Sequence, residues 1–121
     1  MQRKYIFTEE KLYWKGHILR RIKAARSFGN IKKGELGGWI EKEENLSHFG
    51  VCWVFGEAKI YENAQISGSS FVFGEAEVYG NSHIKENAKV YGFSRIFGDA
   101  EIRGNSFVFG KAKISGNAHI L

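Results

Sequence analysis

Four histidines, a single cysteine and a run of cations are the residues in this chain whose types suit chemistry. His83, Glu101 and His119 follow one another at intervals of 18 residues, and imidazole with carboxylate is a donor set that zinc accepts. If the chain stacks with that period, the three share one column. Outward side chains on a flat face diverge into water and close no shell, so no metal is expected there. His17 and His48 stand in no recognisable catalytic motif. Cys52 rules out an internal disulfide. It occupies a slot that is Ala or Ser elsewhere, so it is expected to be a buried core thiol. There is no nucleophile–base pair, no Cys cluster and no phosphate-binding loop. The sequence calls for no catalytic residue, no metal and no cofactor.

Charge is the next signal. Residues 1–47 carry 11 Lys or Arg against 6 acids, and residues 48–121 carry 7 against 7. The whole net charge of +5 is therefore N-terminal. It is densest at Lys15, Arg20, Arg21, Lys23, Arg26, Lys32 and Lys33, with no acid between Lys15 and Lys33. Such a stretch is either the solvated side of a hairpin or a contact for nucleic acid or an acidic protein. Tyr13, Trp14 and Phe28 lie near enough to stack on a base.

The element that must position all of these is a six-residue repeat running without a slip from Val51 to Leu121. Every sixth residue from Val54 to Ile120 is Ile or Val. Two places earlier the residue is small, from Cys52 and Ala58 to Ala118. Two places later it is Gly, except at Glu62 and Glu86. Small–x–aliphatic alternation puts two residues of each unit inside a short strand. A glycine corner then turns the chain. Three turns close a triangle of 18 residues, and the sequence repeats on that longer period: Trp53-Val54-Phe55-Gly56 matches Phe71-Val72-Phe73-Gly74 and Phe107-Val108-Phe109-Gly110. A fixed short period of this kind marks a solenoid.

These hexads resemble those of the left-handed parallel β-helix, the hexapeptide-repeat superfamily. The resemblance implies an all-β, three-faced solenoid of about four regular 18-residue coils with left-handed crossovers. The block from Gly34-Glu35-Leu36-Gly37-Gly38-Trp39-Ile40 to Ser47 is similar to a segment preceding such repeats in small bacterial and phage-borne β-helix proteins. Ahead of it, Lys4–Phe7 reads as a strand, and Leu12–Trp14 is expected to pair with Ile18–Ile22 across Lys15-Gly16-His17. The organisation expected is one structural unit. Residues 1–29 form a hairpin cap, and residues 30–121 form the β-helix, with an irregular coil over 30–50 and regular hexads over 51–121.

The outward slots sort into three faces. The first carries Trp53, Phe71, Lys89 and Phe107 beside Phe55, Phe73, Tyr91 and Phe109. So much aromatic surface should be covered, by the N-terminal hairpin or by a second copy in a dimer or trimer. Trp53, Phe55, Phe71, Phe73, Tyr91, Phe107 and Phe109 are the expected protein interface. The second face alternates Lys59, Glu77, Arg95 and Lys113 beside Tyr61, Tyr79, Phe97 and Ser115, and reads as solvated. The third is polar.

Relatives on this fold are best known as acyltransferases using acyl-CoA donors, with a catalytic His in a cleft between subunits. Here no loop interrupts the hexads, and glycine sits two places after the aliphatic residue rather than next to it. A general base needs a cleft that places its substrate. The sequence reading therefore leans against an enzyme. It expects a non-enzymatic interaction protein of phage origin, an antagonist of a host defence complex such as an anti-CRISPR, that binds a host protein or nucleoprotein. A hexapeptide-type acyltransferase and a small nucleic-acid-binding module are the alternatives, nucleic acid being the less favoured partner. No apolar stretch could span a membrane, so the expected place is the bacterial cytoplasm.

Overall fold

The computed structural model describes residues 3–121; residues 1 and 2 of the N-terminal segment lie outside the described residues. Twelve two-residue strands, from Trp53–Val54 to His119–Ile120, stack as three parallel sheets. Each strand pairs with the one 18 residues on, as Val54 with Val72 and Val90 with Val108. The stack is the three-faced solenoid that the hexads imply. Among the described residues, every regular element apart from one 3-10 turn, Glu43–Asn45, is a strand.

The inward slots explain its cohesion. Val54, Ile60, Val78, Ile96 and Ile102 have no exposed surface, and burying each such side chain is worth about 1.5–3 kcal/mol. Ser70, Ser82, Ser94 and Ser106 are tolerated inside because each hydroxyl donates to the carbonyl three residues back, at 2.6–2.9 Å. At the corners the backbone is left-handed, for example Gly80 at φ 72°. Glu62 and Glu86 stand in that column at φ 58°, a conformation that disfavours a side chain. Each is compensated by reaching along the stack: Glu62 accepts from the Gly80 N–H at 2.9 Å and Glu86 from the Gly104 N–H at 2.7 Å.

The N-terminal segment adds three strands to one sheet. β1 (Tyr5–Trp14) and β2 (His17–Ala24) form a hairpin closed by Lys15 and Gly16, both at positive φ, as a two-residue hairpin turn requires. β3 (Leu36–Ile40) pairs antiparallel with β2 and parallel with Lys59–Ile60, and so joins the hairpin to the second face. The glycines of β3 permit the close approach. A Cβ on Gly37 would lie 2.7 Å from Ile22 Cγ1, and one on Gly38 would lie 2.7 Å from Val54 Cγ1. Tyr5, Ile22, Ala24, Phe28, Ile31 and Leu46 close the N-terminal end of the core. Among the described residues, no helix is long and apolar enough to cross a membrane.

Candidate active site

The hairpin tip falls on the second face, which the sequence reads as solvated. The reason is a ladder of rings. Tyr61, Tyr79 and Phe97 stack with centroids 4.9 and 5.1 Å apart and planes within 7° of parallel, close to the strand spacing itself. Leu12, Trp14 and Leu19 of the hairpin pack with Trp39 on this ladder and form a second small core outside the solenoid. Burying that apolar area outweighs the solvation of the neighbouring charges, so Lys59 and Glu77 are buried too.

Glu77 is the hub of this contact. Its Oε1 accepts from Tyr61 Oη at 2.8 Å, Trp14 Nε1 at 3.0 Å and Lys15 Nζ at 3.3 Å. Arg95 Nε stands 3.8 Å from its Oε2. Burial pushes the carboxyl up, but the hydrogen bonds from Tyr61, Trp14 and Lys15 hold it below its ordinary value of 4.5. The Tyr61 phenol is pushed up by burial and by its bond to that carboxylate. With so many partners, Glu77 holds structure and leaves nothing free to react.

His17, the first residue of β2, is placed differently. Its Nδ1 lies 2.8 Å from Glu41 Oε2 and its Nε2 lies 3.4 Å from Glu62 Oε2. The ring leans on Tyr61, centroids 5.0 Å apart. Glu41 follows directly on β3, and its second oxygen accepts the Glu62 N–H at 2.7 Å. Burial raises the Glu41 carboxyl, but the His17 and Glu62 donors bring it below the usual range. Ionised Glu41 can only accept, so Nδ1 carries a proton towards it, while Nε2 faces a second carboxylate, Glu62. That is an imidazole oriented by a carboxylate, with its second nitrogen towards half-exposed Glu62. The sequence reading passed over His17 because the three partners are far apart in the chain. The one signal was the break in the glycine column at Glu62.

Further along the same face an open groove of about 510 Å³ is lined by Phe93, Arg95, Lys111 and Lys113. Arg95 and Lys113 are direct cross-strand neighbours of like charge, an unfavourable pairing that Glu77, on the other side of Arg95, partly offsets.

The aromatic first face is divided. Trp53 is fully buried, edge-on to Phe28 and Tyr5 at 5.3 and 6.4 Å. Phe55, Phe71 and Phe73 are half-buried against one another. Tyr91, Phe107 and Phe109 are 37%, 56% and 61% exposed. The hairpin does not fold over this face, because its apolar side is spent on the second. Only the first rung is covered, by Tyr5 and the Phe28 turn.

The basic stretch does not form one patch. Lys15 turns to Glu77. Arg21 lies on the Trp39 ring at 4.6 Å and pairs with Glu57 at 2.9 Å. Arg26 reaches the His48 carbonyl at 3.4 Å. Lys23 is half-buried, while Arg20, Lys32 and Lys33 are exposed. On the third face His83, Glu101 and His119 are direct neighbours in one column. His119 Nδ1 stands 3.9 Å from Glu101, and among the described residues no three such side chains gather as a metal site.

No family model matches the chain. Over 80 residues, 54% of its length, it is 34% identical to a protein of Escherichia coli strain K12 named as an uncharacterized acetyltransferase, YdcK, and the match covers 24% of that protein. The chain thus spans about a quarter of that relative's length. The comparison overturns the non-enzymatic reading: the similarity leads to a protein named for acyl transfer, and nothing in it supports a phage origin or an anti-CRISPR role. The regular hexads had argued against an enzyme because they contain no cleft, but the hairpin brings a histidine to them from outside. Hexads, stacked parallel strands and this relative agree on the hexapeptide-repeat β-helix superfamily.

Proposed function

We propose that this hexapeptide-repeat β-helix protein is an acyltransferase that takes its acyl group from an acyl-CoA donor, with His17 as general base. The observation that carries the reading is the His17–Glu41 pair at 2.8 Å. The identity with a protein named as an acetyltransferase supports it. Glu41 fixes the tautomer, and Nε2 takes the proton of an acceptor hydroxyl or amine as that group attacks the thioester carbonyl. Glu62 lies beside the proton so received. When the tetrahedral intermediate collapses, the CoA thiolate leaves and the proton returns to it. The groove of Arg95, Lys111 and Lys113 supplies cations for the donor's phosphates. It lies two to three rungs from His17 along one face, roughly 10–15 Å at the strand spacing, so an extended donor spans both. In this reading the protein works in the cytoplasm, where acyl-CoA is found, as a dimer or trimer. The exposed rungs of the first face, Tyr91, Phe107 and Phe109, are its contact between copies.

Acetyl-CoA titrated into the protein should raise its melting temperature, by an amount equivalent to about 2.7 kcal/mol at a hundredfold excess over Kd. Lys111→Glu with Lys113→Glu should remove that shift. His17→Asn should keep the shift and lose release of free CoA thiol. An unchanged melting temperature together with no thiol release sinks the proposal.

A further inference from the structure

The N-terminal end of the core holds a pair that the proposed reaction does not use. Lys4, the residue before β1, has no exposed surface, and neither has Cys52. Burying an amine is costly without partners. Lys4 Nζ donates to the carbonyls of Cys52 at 2.8 Å, Gly50 at 3.3 Å and Phe49 at 3.5 Å. Its remaining neighbour is the thiol, with Nζ and Sγ 3.3 Å apart. The Phe28 ring lies across the amine at 5.0 Å and Tyr5 follows it in the chain, so water is kept out. The other eleven slots equivalent to Cys52 hold only Ala or Ser. The one thiol thus stands where the one fully buried lysine amine can reach it.

We propose that Lys4 Nζ and Cys52 Sγ are the two ends of an oxidative crosslink, in which dioxygen places one oxygen atom between nitrogen and sulfur to give an N–O–S bridge. The reaction is R–SH + R′–NH2 + O2 → R–S–O–NH–R′ + H2O. The S–H bond and one N–H bond break, and S–O and O–N bonds form. Sulfur and nitrogen each give up two electrons. Dioxygen takes the four, leaving one oxygen in the bridge and one in water. Burial lowers the proton affinity of Lys4 and raises that of Cys52, so the pair moves towards the neutral amine and thiol that the equation consumes. Dioxygen is small and apolar enough to enter a dry core that excludes charged oxidants. Further oxidation of the thiol to sulfinic or sulfonic acid would set an anion among the carbonyls of Ser47, Phe49 and Ile66, which lie 3.6–3.8 Å from Sγ. The bridge adds no charge there. It ties the start of the hairpin to the first coil, 48 positions away in sequence, and makes the cap a redox-dependent clasp.

The test compares the full chain held anaerobically with reductant against the same chain in air-equilibrated buffer. Intact mass should rise by about 14 Da, one oxygen gained and two hydrogens lost. Proteolysis should yield one peptide joining the Lys4 and Cys52 segments, and dithiothreitol should return both. The bridged form should melt at the higher temperature. Lys4→Arg removes the primary amine and should abolish the mass shift. Cys52→Ala, the residue found at Ala58, Ala64 and five other equivalent slots, should abolish it in a chain that folds. An unchanged mass in air, or a gain of whole oxygens on Cys52 with no joined peptide, overturns the proposal.

Discussion

Between Val51 and Leu121 the interior is filled by a few residue types in interchangeable rungs, whereas residues 3–50 bury a lysine, an asparagine and the aromatics Tyr5, Phe28 and Trp39 in positions that occur once. The charged side chains buried among the hexads, Lys59 and Glu77, are outward residues that the hairpin has covered. The same column shows the effect of the cover. Glu77 is shut in by Trp14 and Lys15, while Arg95 and Lys113, one and two rungs on, are exposed. Regular repetition supplies a scaffold, and the proposed site falls where the irregular segment meets it. Polar groups are dehydrated there with specific partners, and a histidine gains an orienting carboxylate.

Substitutions that cross the seam between the two regions should test that contrast. Trp53→Ala removes the ring on which Tyr5 and Phe28 rest and should cost about 3–5 kcal/mol in chemical denaturation. A loss no larger than that of an exposed aromatic would show that the cap and the hexads fold separately. His17→Asn should lower turnover by about 10²- to 10⁴-fold with little change in melting temperature, and Glu41→Gln should lower turnover more weakly, with a small loss of melting temperature. Loss of fold instead of rate would make the pair structural. Glu77→Gln, which leaves Tyr61, Trp14 and Lys15 without a charged acceptor, should cost about 2–3 kcal/mol.

Acid should act on the same seam. Glu77 and Glu41 are both held below their ordinary value of 4.5. As pH falls through that value the unfolded chain takes up protons first, so this part of the stability is present above it and lost below. His48 adds an earlier step. The Lys4 N–H donates to its Nδ1 at 3.1 Å and its ring stacks on Tyr5 at 4.1 Å. Burial, with the nearby cations Arg3 and Arg26, holds it below 6.5. It is neutral when folded, and protonation would set two N–H groups against each other. Stability should therefore begin to fall just below pH 6.5, and His48→Gln should flatten that limb in a pH series of melting temperatures. The smallest effect is expected at Phe107→Ser, on an exposed rung of the first face: within about 0.5 kcal/mol for the isolated chain. Loss of a dimer or trimer peak in light scattering would place the contact between copies there.

Much of the fold was legible because each hexad states its own geometry: a small and an aliphatic residue inside, a glycine at the corner. The hairpin was legible at Lys15–Gly16, where two positive φ values need a particular turn. The candidate site was not. His17, Glu41 and Glu62 belong to three elements and make no motif, and neither face betrayed which one the hairpin would cover. One exception to the glycine rule marks the seam, since Glu62 carries a left-handed backbone and a carboxylate aimed at its neighbours.

The sequence by itself determined the period, the inward columns and the three unlike faces, because those follow from local alternation and are repeated in every unit. Tertiary structure decided where the hairpin lies, which charges lose water, and which histidine gains a carboxylate. Those outcomes depend on competition between surfaces far apart in the chain. The ladder of Tyr61, Tyr79 and Phe97 won the hairpin from the more aromatic first face because Trp14, Leu12 and Leu19 could be buried there with Glu77 and its donors satisfied.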